Sequence, residues 1–158
     1  MKDYITRTST LTFLFILAVV IVGCFITFTP VAGGILLDSL RSAPESQQLL
    51  ASMSDAQKTT HFRITLWLDM IFPLAYGGFF VGLTLKNFKQ VGTWLAIPAF
   101  LVIPTDICEN LIQLLALTGT EDLLQIKAIL TPIKFMLFDI SATIAALSLS
   151  IGIWRRFV

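Results

Sequence analysis

Residues 94–117 read WLAIPAFLVIPTDICENLIQLLAL. At 1.5 Å per residue, a helix over this stretch is about 36 Å long, enough to cross a hydrocarbon core of about 30 Å. Four polar side chains interrupt it. Asp106, Glu109, Asn110 and Gln113 stand at i, i+3, i+4 and i+7, which is one helical face. In lipid such a face has to pack inward or line water, so this helix needs neighbours that cover it. The stretch therefore decides the fold: a membrane-spanning bundle with polar groups in its interior.

Three more apolar stretches supply the neighbours, at 11–28, 64–85 and 128–153. They are continuous runs without the alternation of a barrel strand, and lipid leaves no partner for an open sheet edge. The expected fold class is all-α: an integral membrane four-helix bundle, with a short amphipathic outer helix between spans one and two. Composition agrees. Of 158 residues, 56% are hydrophobic and 13% charged, and the mean hydropathy is +0.84. A soluble domain carries about a quarter charged residues. A net charge of +1 with no basic block excludes a nucleic-acid partner, and two cysteines frame no disulfide scaffold. The whole chain, 1–158, reads as a single transmembrane domain.

Short-loop charges set the expected orientation. Lys2, Arg7, Lys86, Lys89, Arg155 and Arg156 fall on one side, whereas Arg41, Lys58, Arg63 and Lys127 are spread over longer stretches and mixed with acids. The positive-inside rule places both termini in the cytoplasm, in a bacterial inner (plasma) membrane, with Trp94 and Trp154 as interface anchors. Ile21-Val22-Gly23-Cys24 resembles a lipoprotein cleavage motif, but Phe25-Ile26-Thr27-Phe28 prolongs the apolar run where a polar tether belongs. An uncleaved span is expected.

The outer segment, 30–60, opens with breakers at Pro30, Gly33 and Gly34. Ser42-Ala43-Pro44-Glu45 reads as a capping box starting a helix that ends near Ser52, and Ser54-Asp55-Ala56-Gln57 repeats the box. A helix from Asp55 to Leu85 would be about 46 Å long and would rise out of the bilayer. His61 and Arg63 then fall at its rim, with His61 in solvent and Arg63 able to reach down.

Five formal charges lie within the spans: Asp69, Asp106, Glu109, Lys134 and Asp139. Even on lenient scales a charge at the bilayer centre costs about 2.5–3.5 kcal/mol, so these residues are expected to face the interior. Tyr76, seven residues after Asp69, shares its face. The expected ligand-binding set is Asp69, Tyr76, Asp106, Glu109, Asn110, Lys134 and Asp139. Four acids and one base leave an excess of −3, which calls for protons, a cation or an outside arginine. Lys134 is expected to pair with Glu109 or Asp106. Pro73, four residues after Asp69, removes the helical donor to the Asp69 carbonyl. Pro104 and Pro132 sit two residues before Asp106 and Lys134. Such carbonyls can coordinate a ligand or simply mark packing kinks, just as a Lys–Glu pair with Asn and Gln can glue helices without any ligand.

Other chemistry finds little footing. One histidine builds neither a haem or zinc site nor a catalytic triad, and no glycine-rich phosphate loop occurs. Gly77-Gly78 reads as a helix-packing notch. No cofactor and no metal is expected, and no catalytic residue is assigned.

The strings LDMIFPLAY (Leu68–Tyr76), PTDICEN (Pro104–Asn110) and TPIKFML (Thr131–Leu137) resemble recurring motifs of small bacterial four-span membrane proteins. That resemblance implies no activity. In layout, the short acidic segment after span one and the Phe- and Pro-rich span two are similar to the EXPERA group, which includes sterol isomerases and the sigma-2 receptor. The likeness implies a small helical membrane protein with acids facing an internal cavity, and assigns no residue a role.

Three functions follow from these readings. The first is binding of a lipid-like or amphipathic small molecule in a buried acidic/Lys pocket, with or without acid–base turnover. The second is an accessory or assembly subunit whose charges pair internally or with a partner helix. The third is proton or cation conduction from Glu109 through Asp106 to Asp139. Membrane lipids or a hydrophobic small molecule are the expected partners; whether the chain forms a homo-oligomer or joins a larger membrane complex stays open.

Overall fold

The computed structural model describes residues 2–88, 90–119, 123–155 and 157, so Lys89 and Arg156 of the charge count lie outside the described residues. Six helices carry the architecture: α1 (Thr8–Phe28), α2 (Ala43–Ser52), α3 (Asp55–Ile64), α4 (Phe72–Asn87), α5 (Ile97–Thr118) and α6 (Leu124–Trp154). Helix α3 continues through a π-helical turn, Thr65–Asp69, into α4, giving one long helical rod over Asp55–Asn87. No strand occurs among the described residues. Four helical segments are long and apolar enough to cross a membrane: Thr8–Ala32, Asp55–Asn87, Gly92–Thr118 and Leu124–Trp154. They cover the four expected spans. The chain is a multi-pass helical membrane bundle.

Helix α4 is the central member. It packs against α1, α5 and α6, and α5 packs along α6. Close approach to α5 requires a glycine, because a Cβ at Gly77 would overlap the Ile103 side chain. The chain ends and the α4–α5 connection meet at one end of the bundle, where Lys86 Nζ donates to Thr8 Oγ1 (2.8 Å) and Arg155 Nη1 to the Asn87 carbonyl (2.9 Å). Trp94 and Trp154 are exposed at that end and Trp67 towards the other, as amphipathic rings at two interfaces would be.

Both expected N-caps form, but only the second closes as a full capping box, because the Glu45 side chain makes no return bond to the Ser42 amide. Ser42 Oγ accepts from the Glu45 amide (3.4 Å), Ser54 Oγ accepts from the Gln57 amide (3.3 Å), and Gln57 Oε1 accepts in return from the Ser54 amide (2.9 Å). Gly33 and Gly34 take the left-handed backbone (φ 107° and 86°) that ends the 3₁₀ turn after α1. Leu49 and Leu50 of α2 pack on a cluster of Leu37, Met53 and Leu117, so the outer helix covers the bundle. Between them lies an element with no sequence forecast, a 3₁₀ turn at Leu37–Ser39. The fully buried Leu37 anchors it, and its amide donates to His61 Nε2 (3.3 Å). His61 is therefore buried, not solvated as expected, because the turn folds over it. Arg63 stays exposed and reaches no carboxylate among the described residues.

Gly77→Val should destabilise the bundle by about 1–3 kcal/mol, since the added carbons have no space beside Ile103. A thermal melt in mild detergent checks this; a melting point equal to the parent's would show that α4 and α5 are packed less closely.

Candidate functional site

Lys134, four per cent exposed on α6, organises the interior. Its ammonium pairs with Asp38 of the 3₁₀ turn, with Glu109 Oε2 (2.7 Å) and with Asp106 Oδ1 (3.5 Å), both on α5. Tyr76 of α4 donates its hydroxyl proton to the other Asp106 oxygen, Oδ2, at 2.8 Å. On the far side, Thr131 Oγ1 donates to Glu109 Oε1 (2.5 Å), and Lys127 lies 3.5 Å from that same oxygen. Lys127 also donates to the Leu40 carbonyl (2.6 Å), which ties the outer segment to α6. The polar stripe of α5 thus meets two lysines from α6 and one acid from the outer segment.

Pro73 has the predicted local effect, with an unforeseen partner. Without a proline N–H, the Asp69 carbonyl turns to the side chain of Asn110, whose Nδ2 donates to it at 2.9 Å. Gln113 Nε2 in turn donates to Asn110 Oδ1 (3.3 Å). The π turn just before the proline gives the chain room for this exchange. The freed carbonyl is occupied by the protein itself and is not offered to a ligand.

Beside this network lies a cavity of about 190 Å³, lined by Asp38, Asp69, Asp106, Lys134 and Tyr76, and by Leu36, Phe25, Phe72, Phe135 and Phe138. The rings form a connected wall: Tyr76 meets Phe72 edge-on at 4.9 Å between centroids and Phe138 at 5.1 Å, and Phe72 meets Phe25 at 5.6 Å. Asp69 stands apart from the network. Its carboxyl makes no hydrogen bond or ion pair with a described side chain, although the residue is only five per cent exposed.

Of the seven expected residues, Asp69, Tyr76, Asp106 and Lys134 line the cavity. Glu109 and Asn110 are fully buried behind that wall and hold it in place. Asp139 is not part of the site: it lies exposed on the outside of α6. Five residues beyond Lys134 is a rotation of about 140° around the helix, which carries it away from the interior. The site instead gains Asp38 and Lys127. Asp38 sits in an Ile35-Leu36-Leu37-Asp38-Ser39-Leu40 run whose apolar density marks a segment that packs down. Lys127 lies one turn before Thr131 on the face of Lys134, where helical spacing could have found it.

The corrected charge count is four carboxyls (Asp38, Asp69, Asp106, Glu109) against two amines (Lys127, Lys134), a formal excess of −2. Oxygens of Asp38, Asp106 and Glu109 lie within 4.8 Å of one another and could hold a metal ion. The Lys134 ammonium is already ion-paired with all three, so a metal would have to displace it. No family model, curated protein or solved structure matches the chain, so what the site does rests on its geometry.

Lys134→Met removes the counter-charge shared by three carboxyls and should cost about 3–5 kcal/mol, as stranded buried charges do. Adding Glu109→Gln should recover part of that loss. Detergent melts of the single and double variants measure both; additive losses would mean that the two side chains are not coupled.

Proposed function

We propose that this protein binds an amphipathic small molecule from the bilayer, with its polar head at Asp69 and its apolar body along Phe25, Phe72, Phe135 and Phe138. The observation that carries the reading is Asp69 itself: a carboxyl unsatisfied by any described side chain, facing a cavity whose remaining wall is largely aromatic. A buried acid without a partner is costly, and a ligand that supplies a hydrogen-bond donor or positive charge removes that cost. The excess of two carboxyls favours a head group bearing a protonated amine, which aromatic faces also attract. Asp106, fixed between Tyr76 and Lys134, would then be the acid–base group if the bound molecule is turned over. The reading includes a plasma-membrane location with both termini in the cytoplasm, as the loop charges suggest.

Binding is favoured over conduction by what lies beyond Asp106. With Asp139 on the outside, no described carboxyl continues the path towards the terminal end. Clusters of Leu11, Leu83 and Ala145 and of Val81, Leu85, Ala96 and Ala99 pack much of that half, flanked by Phe79 and Phe80, and the cavity of about 430 Å³ beside them is lined by Thr8, Thr12, Lys86 and Asn87 but by no carboxylate. Of its buried hydroxyls, Ser141 and Ser148 donate to the Leu137 and Leu83 carbonyls (2.6 and 2.7 Å).

Native mass spectrometry of the protein released from mild detergent tests the proposal. A co-purifying small molecule should be seen on the parent, and Asp69→Asn should lower its occupancy about tenfold, the loss of one charge-assisted contact. Phe138→Trp should exclude it by filling the cavity. Equal occupancy in all three proteins, or a parent that carries nothing from any membrane extract, would refute the reading.

A further inference from the structure

We propose that the cleft between α1, α4 and α6, at the terminal end of the bundle, is a binding site for an anionic phospholipid. The cleft encloses about 430 Å³, a volume typical of ligand pockets. It arises because α1 and α6 both pack on α4 and leave a gap between them. Leu11 and Leu83, which cluster with Ala145, form its floor. Asn87 forms a fixed wall: its amide donates to Ser148 Oγ (3.1 Å) and its carbonyl accepts from Arg155 (2.9 Å).

The lining changes with depth in the way a lipid does. Thr8 and Lys86 stand at the terminal end, where Ile153 of the lining adjoins the exposed interface ring Trp154. Phe15 and Phe79 lie seven residues further along α1 and seven residues back along α4, about 10 Å deeper in the bilayer. Phe15, Leu149 and Ile153 are exposed, so the apolar part of the cleft opens sideways to the acyl chains. A polar head at the interface and an apolar tail below it is the layout of a phospholipid.

The sign of the head group follows from the charges. Lys86 Nζ turns across the cleft to Thr8 Oγ1 (2.8 Å), a neutral partner, and meets no carboxylate among the described residues. No acid lines the cleft; Asp3, the acid of the N-terminal segment, is exposed and stands outside the lining. The first turn of α1 starts at Thr8 without a side-chain cap and adds the partial positive charge of a helix N-terminus. The Thr8 hydroxyl accepts from Lys86 and keeps its own proton for a further acceptor. A phosphate supplies both the charge and the acceptor oxygens. A soluble anion would share that head chemistry but leave Phe15, Phe79 and Leu149 uncovered. The cleft has the opposite sign to the acidic cavity, lies at the other end of the bundle and does not depend on it.

The test is native mass spectrometry of the full chain in mild detergent, titrated with phosphatidylglycerol or with phosphatidylcholine of the same acyl chains. The parent should retain phosphatidylglycerol several-fold more strongly. Lys86→Gln, whose amide can still donate to Thr8, should melt like the parent yet lose about fivefold in phosphatidylglycerol retention, the effect of one lysine beside an anionic lipid. Lys86→Arg should keep it. Leu149→Trp should weaken retention by obstructing the acyl part of the cleft. Arg63→Gln, which removes the same charge at the far end of the bundle, should change nothing. Equal retention of the two lipids by the parent, a Lys86→Gln variant that holds phosphatidylglycerol as the parent does, or an equal loss in Arg63→Gln would overturn the proposal. Displacement of the lipid by inorganic phosphate would overturn it in favour of a soluble anion.

Discussion

The Lys134 ammonium is the interaction on which the rest of the structure depends. It joins Asp38 of the outer segment to Asp106 and Glu109 of α5 from its own place on α6. Carboxyls on separate elements would repel one another in a medium of low dielectric; a cation among them turns that repulsion into a tie between the elements. Lys127 repeats the device about two turns further out, through Glu109 and the Leu40 carbonyl. Two lysines thereby set how α6 lies against α5 and how the outer segment closes over both.

The same economy appears at Pro73. A proline in a membrane helix leaves a backbone carbonyl without its donor, and in lipid that vacancy has to be filled by protein. Asn110 fills it, so a kink in one helix is locked to the polar stripe of the next. The π turn, the proline and the α5 stripe form one unit, and they hold Asp69 at the cavity wall while its carbonyl is satisfied. Asp69's carboxyl is what remains available for chemistry once the structural needs of its backbone are met.

The fold was largely legible because its causes are local. Apolar run length, the hydroxyl N-caps at Ser42 and Ser54 and the Gly33-Gly34 break each act within a few residues, and each appears where the sequence placed it. The site was legible in part. Asp69, Tyr76, Asp106 and Lys134 converge because each lies on the polar face of its own helix. His61 and Asp38 were missed for one shared reason: the Leu37–Ser39 turn forms by packing on distant residues, and it buries His61 while bringing the half-buried Asp38 to Lys134. Asp139 was assigned to the interior because it is charged and intramembrane, but charge alone does not say which way a helix is rotated.

By itself, then, the sequence determined a four-span helical membrane protein with an acidic, lysine-bearing interior, since hydrophobic length and helical periodicity are properties of the chain and the bilayer. The tertiary structure decided which polar groups are used up in holding helices together and which face a cavity or the lipid. That division depends on helix rotation and on contacts between residues far apart in the chain, Asp38 with Lys134 above all. No local pattern encodes such contacts, because their energy exists only once both partners have been brought together and removed from water.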